Sequence, residues 1–189
     1  SGISTKNYAD ANQLLESIKG YQIKYASDII PSDEKIDAEI MYNKYDIFRN
    51  LFMYYFLAGL LFFIFIILNI FSENKSIHNF MKYIFIIFRS SIVLLFIAHT
   101  LGLIARWYIS GHAPWGDAYE SMIYVAWATM GIGLLFIKKS DLTLASTSFV
   151  TSMILMIAHW NWMDPSIANL VPVLNSYWLM IHVSVIVGS

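Results

Sequence analysis

The chain has 189 residues, of which 58% are hydrophobic and only 13% are charged, and its formal net charge is −1. A soluble domain is nearer half apolar and a quarter charged, so this composition indicates a polytopic membrane protein. The almost neutral balance provides no electrostatic basis for binding nucleic acid. Cysteine is absent, which excludes disulfides, thiolate metal sites and a cysteine nucleophile within this chain.

The first part of the chain, residues 1–47, is polar. Apolar residues at helical spacing predict a helix over residues 12–25, and Pro31 interrupts that pattern. Asp33 is a suitable N-cap for a second helix over residues 34–49. We therefore predict an extramembrane, linker-like segment that leads into the first membrane span.

Apolar stretches of the length needed to cross a bilayer, about 20 residues, follow this segment. We expect an all-α fold, a membrane helical bundle with four full transmembrane helices and a truncated fifth, over residues 48–189. Too few residues follow Tyr177 to complete the last helix, so we expect the chain to be part of a longer protein. The spans are predicted at about residues 48–71, 80–107, 120–137, 142–159 and from 177 onward.

The short loops differ in their positive charges. Four lysines lie in the loops 72–82 and 138–141, whereas the loops 108–119 and 160–176 contain no lysine or arginine. The positive-inside rule places the first pair in the cytoplasm and the second pair, with the N-terminal segment, on the outer side. Five of the six tryptophans lie near the outer boundary. They indicate either anchoring at one interface or a surface for a flat aromatic ligand.

Histidine is the principal candidate ligand type, and the chain has five. His182 lies about one turn into the fifth span, near the outer surface and beside Tyr177 and Trp178. A neutral imidazole there is a suitable axial ligand for haem iron. His99, inside the second span, is interpreted as a structural histidine with satisfied hydrogen bonds, with a ligand or proton-relay role as the alternative. The others are expected at solvated or interfacial positions: His78, His112 and His159.

Charged residues flank the first outer loop. Arg106 precedes the loop, Asp117 lies within it, and Glu120 opens the third span. Arg106 could pair with Glu120 and close the loop, which we favour, or hold a haem propionate through its planar fork. The sequence contains no nucleotide-binding loop, zinc-protease motif or nucleophile elbow, and we assign no catalytic residue.

Two blocks of sequence match one family pattern in order. They are RWYISGHAPWGDAYESMIYVAW at 106–127 and LVPVLNSYWLMIHVSV at 170–185. They contain an arginine-aromatic pair, a Gly-His-x-Pro loop, a Tyr-Glu-Ser helix start and the pattern Pro-x-Leu-x-Ser-x-Trp-Leu-x-x-His-Val. Over about residues 80–189 the chain resembles the CcsA family, the haem-handling membrane proteins of System II cytochrome c maturation. More loosely, residues 39–48 resemble the junction between the CcsB and CcsA parts of fused CcsBA synthases.

The resemblance implies haem transport to the outer membrane face and presentation of haem for covalent attachment to CxxCH apocytochrome c. Cytochrome c synthase activity is implied only for the full-length protein. His182 matches the first of the family's two outward-facing haem ligands, with haem b as substrate and bound ligand. The family's WWD segment and second outer histidine would lie outside this sequence. The expected neighbours of the haem are Trp178, Tyr177, Trp115, Arg106 and His112.

The same resemblance implies partners and a location. The expected partners are apocytochrome c, a CcsB-type part of the same or a partner chain, and thiol-reducing proteins. The expected location is the bacterial inner membrane, with the tryptophan-rich loops on the periplasmic side. Two other functions stay open. A quinone-linked redox subunit with bis-histidine haem would need His99 and His182 near the same leaflet. A non-haem transporter would rely on Arg89 and His99 near the midplane.

Overall fold

The structure is a computed structural model, and it describes residues 8–26, 31–72, 75–160, 164–167, 178, 181–182 and 185–186. These residues contain helices and no strand, so the predicted all-α fold is confirmed. In chain order the helices are α1 (Tyr8–Ala26), α2 (Asp33–Tyr45), α3 (Ile47–Phe71), α4 (Lys75–Ser110), α5 (Ala118–Leu135) and α6 (Asp141–His159).

The chain divides into two compact units, Ser1–Asp37 and Ala38–Ser189. The first unit contains α1, whose apolar side chains, such as Leu14 and Leu15, are largely exposed. The second unit contains α3 to α6, which form a helical bundle with a buried apolar core. The predicted boundary after residue 47 falls inside the second unit, close to the junction of α2 and α3, and stays a prediction.

Helix α2 does not continue into α3, although the sequence predicts one helix over residues 34–49. The break is at Asp46, which has a left-handed backbone with φ of 41°. Asparagine and aspartate tolerate this conformation better than most residues. Asn50 Nδ2 donates to the Tyr45 backbone oxygen at 2.8 Å, which satisfies a carbonyl at the end of α2.

Three helical stretches in the described part of the chain are long and apolar enough to cross a membrane. Helix α5 has 18 residues and is about 27 Å long, slightly less than a hydrocarbon core of about 30 Å. Its role as a fourth span stays a prediction, and most of the fifth lies outside the described residues. The three stretches are Asp33–Phe71, Asn79–Ser110 and Asp141–His159.

Helix α4 begins at Lys75, inside the polar stretch 72–79 that the sequence predicts as a loop. Its backbone hydrogen bonds are internal to the helix, so polar residues can continue it past the apolar segment. With 36 residues it is about 54 Å long, which exceeds the thickness of the hydrocarbon core. The helix therefore tilts or extends beyond the membrane.

Helices α3 and α6 approach closely at Gly59. A Cβ atom at this position would lie 2.9 Å from the Phe149 backbone nitrogen and 3.0 Å from the Ala145 oxygen. Small residues permit such backbone contact between membrane helices. Nearby, Ser148 Oγ donates to the Tyr55 backbone oxygen at 3.0 Å, which adds a polar link between the same two helices.

An ion pair connects α4 to the start of α6. Arg89 Nε and Nη2 donate to the two carboxylate oxygens of Asp141 at 2.7 and 2.8 Å. Ser140 caps the same helix end, because its Oγ accepts from the Thr143 nitrogen at 3.1 Å. Arg89 therefore fastens two helices together, and a structural role accounts for its position in the second span.

Candidate functional site

Arg106 is the centre of a polar cluster at the end of α4, and its side chain is 0% exposed. Nε donates to Glu120 Oε1 at 2.8 Å, so the predicted pair between these two residues is confirmed. Nη1 donates to the Pro165 backbone oxygen at 2.9 Å, and Nη2 donates to the Ser166 oxygen at 3.0 Å. Arg106 therefore joins the start of α5 and the loop after α6 to α4.

The start of α5 is organised by two carboxylates. Glu120 Oε2 accepts from the Gly116 nitrogen at 2.7 Å, so both oxygens of this buried group are used. Asp117 is the N-cap, and its Oδ1 accepts from the Glu120 nitrogen at 2.6 Å. Its other oxygen lies 3.8 Å from Arg106 Nη2. Burial raises the pKa of the Asp117 carboxyl, and the backbone hydrogen bond partly offsets this effect.

The aromatic ring of Tyr119 supports the guanidinium. Arg106 Cζ lies 5.0 Å from the ring centroid, a distance typical of a cation–π contact. Since every nitrogen of the guanidinium also donates a hydrogen bond, the structure favours the pairing with Glu120 over the alternative of propionate binding. The contribution of Arg106 to a haem environment stays a prediction.

Within the loop 160–176, the structure describes Trp160 and residues 164–167. Asp164 Oδ1 accepts from the Ser166 nitrogen at 2.9 Å, as expected for a turn that an aspartate starts before a proline. This backbone hydrogen bond lowers the pKa of the Asp164 carboxyl. The turn directs two successive carbonyl oxygens toward Arg106, which holds the loop against the bundle.

A cavity of about 360 Å³ adjoins the cluster. Its walls come from α2, the start of α3, Tyr119, His159 and the 164–167 turn. Three carboxylates, those of Glu39, Asp46 and Asp164, line it. An anionic group such as a haem propionate would be repelled there, so this cavity does not match the expected ligand.

The loop between α4 and α5 begins with a tight turn after Ser110. Gly111 has a positive φ of 74°, which favours glycine, and Ser110 Oγ donates to the His112 backbone oxygen at 2.8 Å. His112 Nδ1 lies 3.0 Å from the Ala113 oxygen, so this nitrogen donates and carries the hydrogen. The imidazole is half-buried and forms part of the turn.

Trp115, in the loop that joins α4 to α5, belongs to a row of aromatic rings that continues between these two helices. The ring centroids of Trp115 and Tyr124 are 5.5 Å apart, and those of Tyr124 and Trp127 are 6.0 Å apart. Trp127 also stacks on Phe96, with 5.6 Å between the ring centroids. Trp127 Nε1 donates to Thr100 Oγ1 at 2.9 Å. The sequence did not predict this row, although Tyr124 and Trp127 lie three residues apart on one face of a helix.

His182 has an exposed side chain on a residue of helical backbone, and Trp178 is 79% exposed. Tyr177 lies outside the described residues. The contacts described above bring Arg106 together with Glu120, and His112 and Trp115 both lie in the loop between α4 and α5. The predicted grouping of these residues around His182 is not tested by these contacts and stays a prediction.

The other histidines differ in their surroundings. His99 is 0% exposed, and its Nε2 is 3.1 Å from the Ile123 oxygen, whereas Nδ1 has no hydrogen-bond partner within the described part of the chain. The interpretation as a satisfied histidine is therefore correct for one nitrogen only. His159 is half-buried at the end of α6, and the side chain of His78 lies outside the described part.

Among the described residues, no group of three or more histidine, aspartate or glutamate side chains could hold a metal ion.

The fold and the Arg106 cluster together define a multi-pass membrane protein in which a buried arginine fastens the loop after α4 to the loop after α6. A family model described as cytochrome C assembly protein matches residues 115–189. NrfI of Wolinella succinogenes is 38% identical over 184 residues, which cover 97% of this chain and 20% of NrfI. These matches confirm the predicted resemblance, and the chain belongs to the CcsA-type family of cytochrome c biogenesis proteins.

Two further relatives carry the family name itself. CcsA of Prochlorococcus marinus strain MIT 9515 is 32% identical over 145 residues, covering 69% of this chain and 43% of that protein. CcsA of Lotus japonicus is 32% identical over 112 residues, covering 52% of this chain and 32% of that protein. The chain therefore spans less than half the length of the curated relatives it matches.

Proposed function

We propose that this chain forms part of a site that receives haem at the outer membrane face and presents it to CxxCH apocytochrome c. The observation that carries the proposal is the family match, because residues 115–189 include the end of the 108–119 loop, the whole 160–176 loop and His182. Haem b is the substrate, and His182 is its axial ligand. Covalent attachment is an activity of the longer protein.

The chemistry of the residues at 178–182 suits a haem. His182 and Trp178 are exposed, and a spacing of four residues places two side chains on one face of a helix. An imidazole nitrogen can ligate iron, and an indole ring can cover a flat apolar macrocycle. The haem supplies the vinyl groups that react with the thiols of the substrate, while the protein binds and orients it.

The outer cluster has a positioning role in this proposal. Arg106 holds the carbonyl oxygens of Pro165 and Ser166, which precede the segment that contains His182. The same guanidinium is bonded to Glu120 at the start of α5. A buried, multiply bonded group of this kind restricts the movement of the loops, and a ligand residue must be held close to its working position.

The proposal extends to partners and location. The clients are apocytochromes whose CxxCH cysteines must be reduced, which implies thiol-reducing proteins on the same side of the membrane. A CcsB-type part, in this or another chain, would complete the assembly. The membrane is the bacterial inner membrane, with the tryptophan-rich loops on the periplasmic side, as the distribution of lysines predicts.

A maturation assay in cells tests the role of His182. The His182→Ala variant of the uninterrupted gene should lose most covalent cytochrome c, measured by haem-dependent peroxidase staining of gels. Added imidazole should restore part of the signal, because it can occupy the vacated ligand position. The control is His78→Ala, since His78 lies in the first turn of α4, at the opposite end of this helix from Arg106. Normal maturation by His182→Ala would refute the assignment.

A further inference from the structure

His99 is buried inside the bundle, with one ring nitrogen bonded across to α5. Its side chain is 0% exposed, and Nε2 lies 3.1 Å from the Ile123 backbone oxygen. Because a carbonyl oxygen can only accept a hydrogen bond, Nε2 carries the ring hydrogen. In the neutral ring Nδ1 then has a lone pair, so the bundle contains a buried acceptor.

A buried donor lies beside this acceptor. The Tyr55 side chain is also 0% exposed, and its ring centroid is 6.1 Å from that of His99. Neither the Tyr55 hydroxyl nor His99 Nδ1 has a hydrogen-bond partner within the part of the chain that the structure describes. Buried polar groups are almost always hydrogen-bonded, to protein or to ordered water, so each of these two groups requires a partner that the described residues do not supply.

We propose that one buried water molecule binds between the Tyr55 hydroxyl and His99 Nδ1. The water donates a hydrogen bond to Nδ1 and accepts one from the tyrosine. Water is suited to the site because the two groups do not bond directly, and a bridging water can satisfy both. The ring of Phe48 packs edge-on against His99 at 5.4 Å between centroids, which helps to close the site to a larger ligand.

This water would complete a polar chain through all four helices of the bundle. Ser148 of α6 donates to the backbone oxygen of Tyr55 in α3. The water then connects the Tyr55 hydroxyl to His99 in α4, and His99 donates to Ile123 in α5. His99 precedes Arg106 by two helical turns, which is about 10 Å along α4. The polar chain therefore fixes the helices just below the cluster that holds the outer loops.

A structure of the uninterrupted protein in lipid nanodiscs, at a resolution that shows ordered water, tests the proposal directly. We expect one peak of density within hydrogen-bond distance, about 2.7–3.2 Å, of both the Tyr55 hydroxyl oxygen and His99 Nδ1. A direct bond between the two side chains, haem iron on Nδ1, or the absence of a bridging peak would each overturn it.

Solid-state NMR of the same protein, labelled with ¹⁵N-histidine in bilayers, provides an independent test. His99 Nδ1 should be unprotonated and should receive magnetisation from water, and Tyr55→Phe should weaken this transfer by removing one anchor of the water. Tyr54→Phe is the matched control, because Tyr54 is the adjacent residue of α3 and is 56% exposed. A protonated Nδ1, or unchanged transfer in Tyr55→Phe, would contradict the proposal.

Discussion

Arg106 illustrates how much a single buried side chain can organise. Its charge lies away from water, which is costly unless the charge is paired and hydrogen-bonded. Glu120 supplies the counter-charge, and two backbone carbonyls complete the set of acceptors. Exchanging the two residues would restore the ion pair but would leave the carbonyls of residues 165 and 166 without their donor. We therefore expect a charge swap to recover only part of the stability.

Removal of the counter-charge alone tests the energetic role of this pair. Glu120→Gln should lower the melting temperature of the detergent-purified protein, because it leaves Arg106 as a buried charge, and losing one partner of a buried pair typically costs about 3–5 kcal/mol. The measurement is a thermal-shift assay on the uninterrupted protein.

The control for this variant is Asp46→Asn. Asp46 lies 3.9 Å from Arg49 in an exposed pair, and asparagine also tolerates its left-handed backbone. An exposed pair of this kind contributes about 0–1 kcal/mol, so the melting temperature should change little. If both variants lowered the melting temperature equally, the buried pair would contribute no more to stability than the exposed pair.

The charged residues of the outer cluster could be predicted from the sequence, but several of their acceptors could not. Arg106 and Glu120 carry opposite charges at the two ends of one short loop, so their pairing is a local expectation. Pro165 and Ser166 contribute backbone oxygens. Every residue type has a backbone oxygen, so the sequence does not show which ones accept these hydrogen bonds. The same reason applies to the carbonyl of Ile123, which His99 uses inside the bundle.

At the scale of helices, apolar runs predicted α3 and α6 almost to the residue, whereas the junction of α2 and α3 escaped prediction. Hydropathy identifies membrane segments because lipid requires an apolar surface on the helix. The break at Asp46 depends on one backbone conformation, and neither glycine nor proline marks it. The start of α4 at Lys75 was missed for a related reason, since a helix can continue into water without a change in its hydrogen bonds.

The contact between α3 and α6 gives a prediction at this scale. Gly59→Ala should destabilise the bundle by about 1–3 kcal/mol, because the added Cβ would meet two backbone atoms that cannot move aside. Thermal unfolding in detergent measures the effect. Gly131→Ala is the matched control, since its Cβ would lie 3.6 Å from the nearest atom, an ordinary contact with the Phe96 ring. A similar loss in both variants would mean that helix packing at Gly59 is not the cause.

At the scale of the whole molecule, the predicted orientation in the membrane rests on four lysines, two at the start of α4 and two between α5 and α6. Residues 1–189 contain no cysteine, so an introduced cysteine is the only one within them, and any cysteine elsewhere in the uninterrupted protein is first replaced by serine. We predict that a membrane-impermeant maleimide labels Ala118→Cys in intact cells, and labels Lys139→Cys only after the membrane is opened. Both positions are exposed in the structure. Labelling in the reverse pattern would invert the proposed topology and would place the Arg106 cluster on the cytoplasmic side.

The central claim is that His182 holds haem, and the visible absorption spectrum tests it most directly. The product of the uninterrupted gene, purified in detergent and reduced, should show sharp haem bands. The His182→Ala variant should show weakened or shifted bands, and added imidazole should reverse the change. Identical bands in both proteins would assign the ligand role to another residue, and a full-length protein without haem would contradict the account.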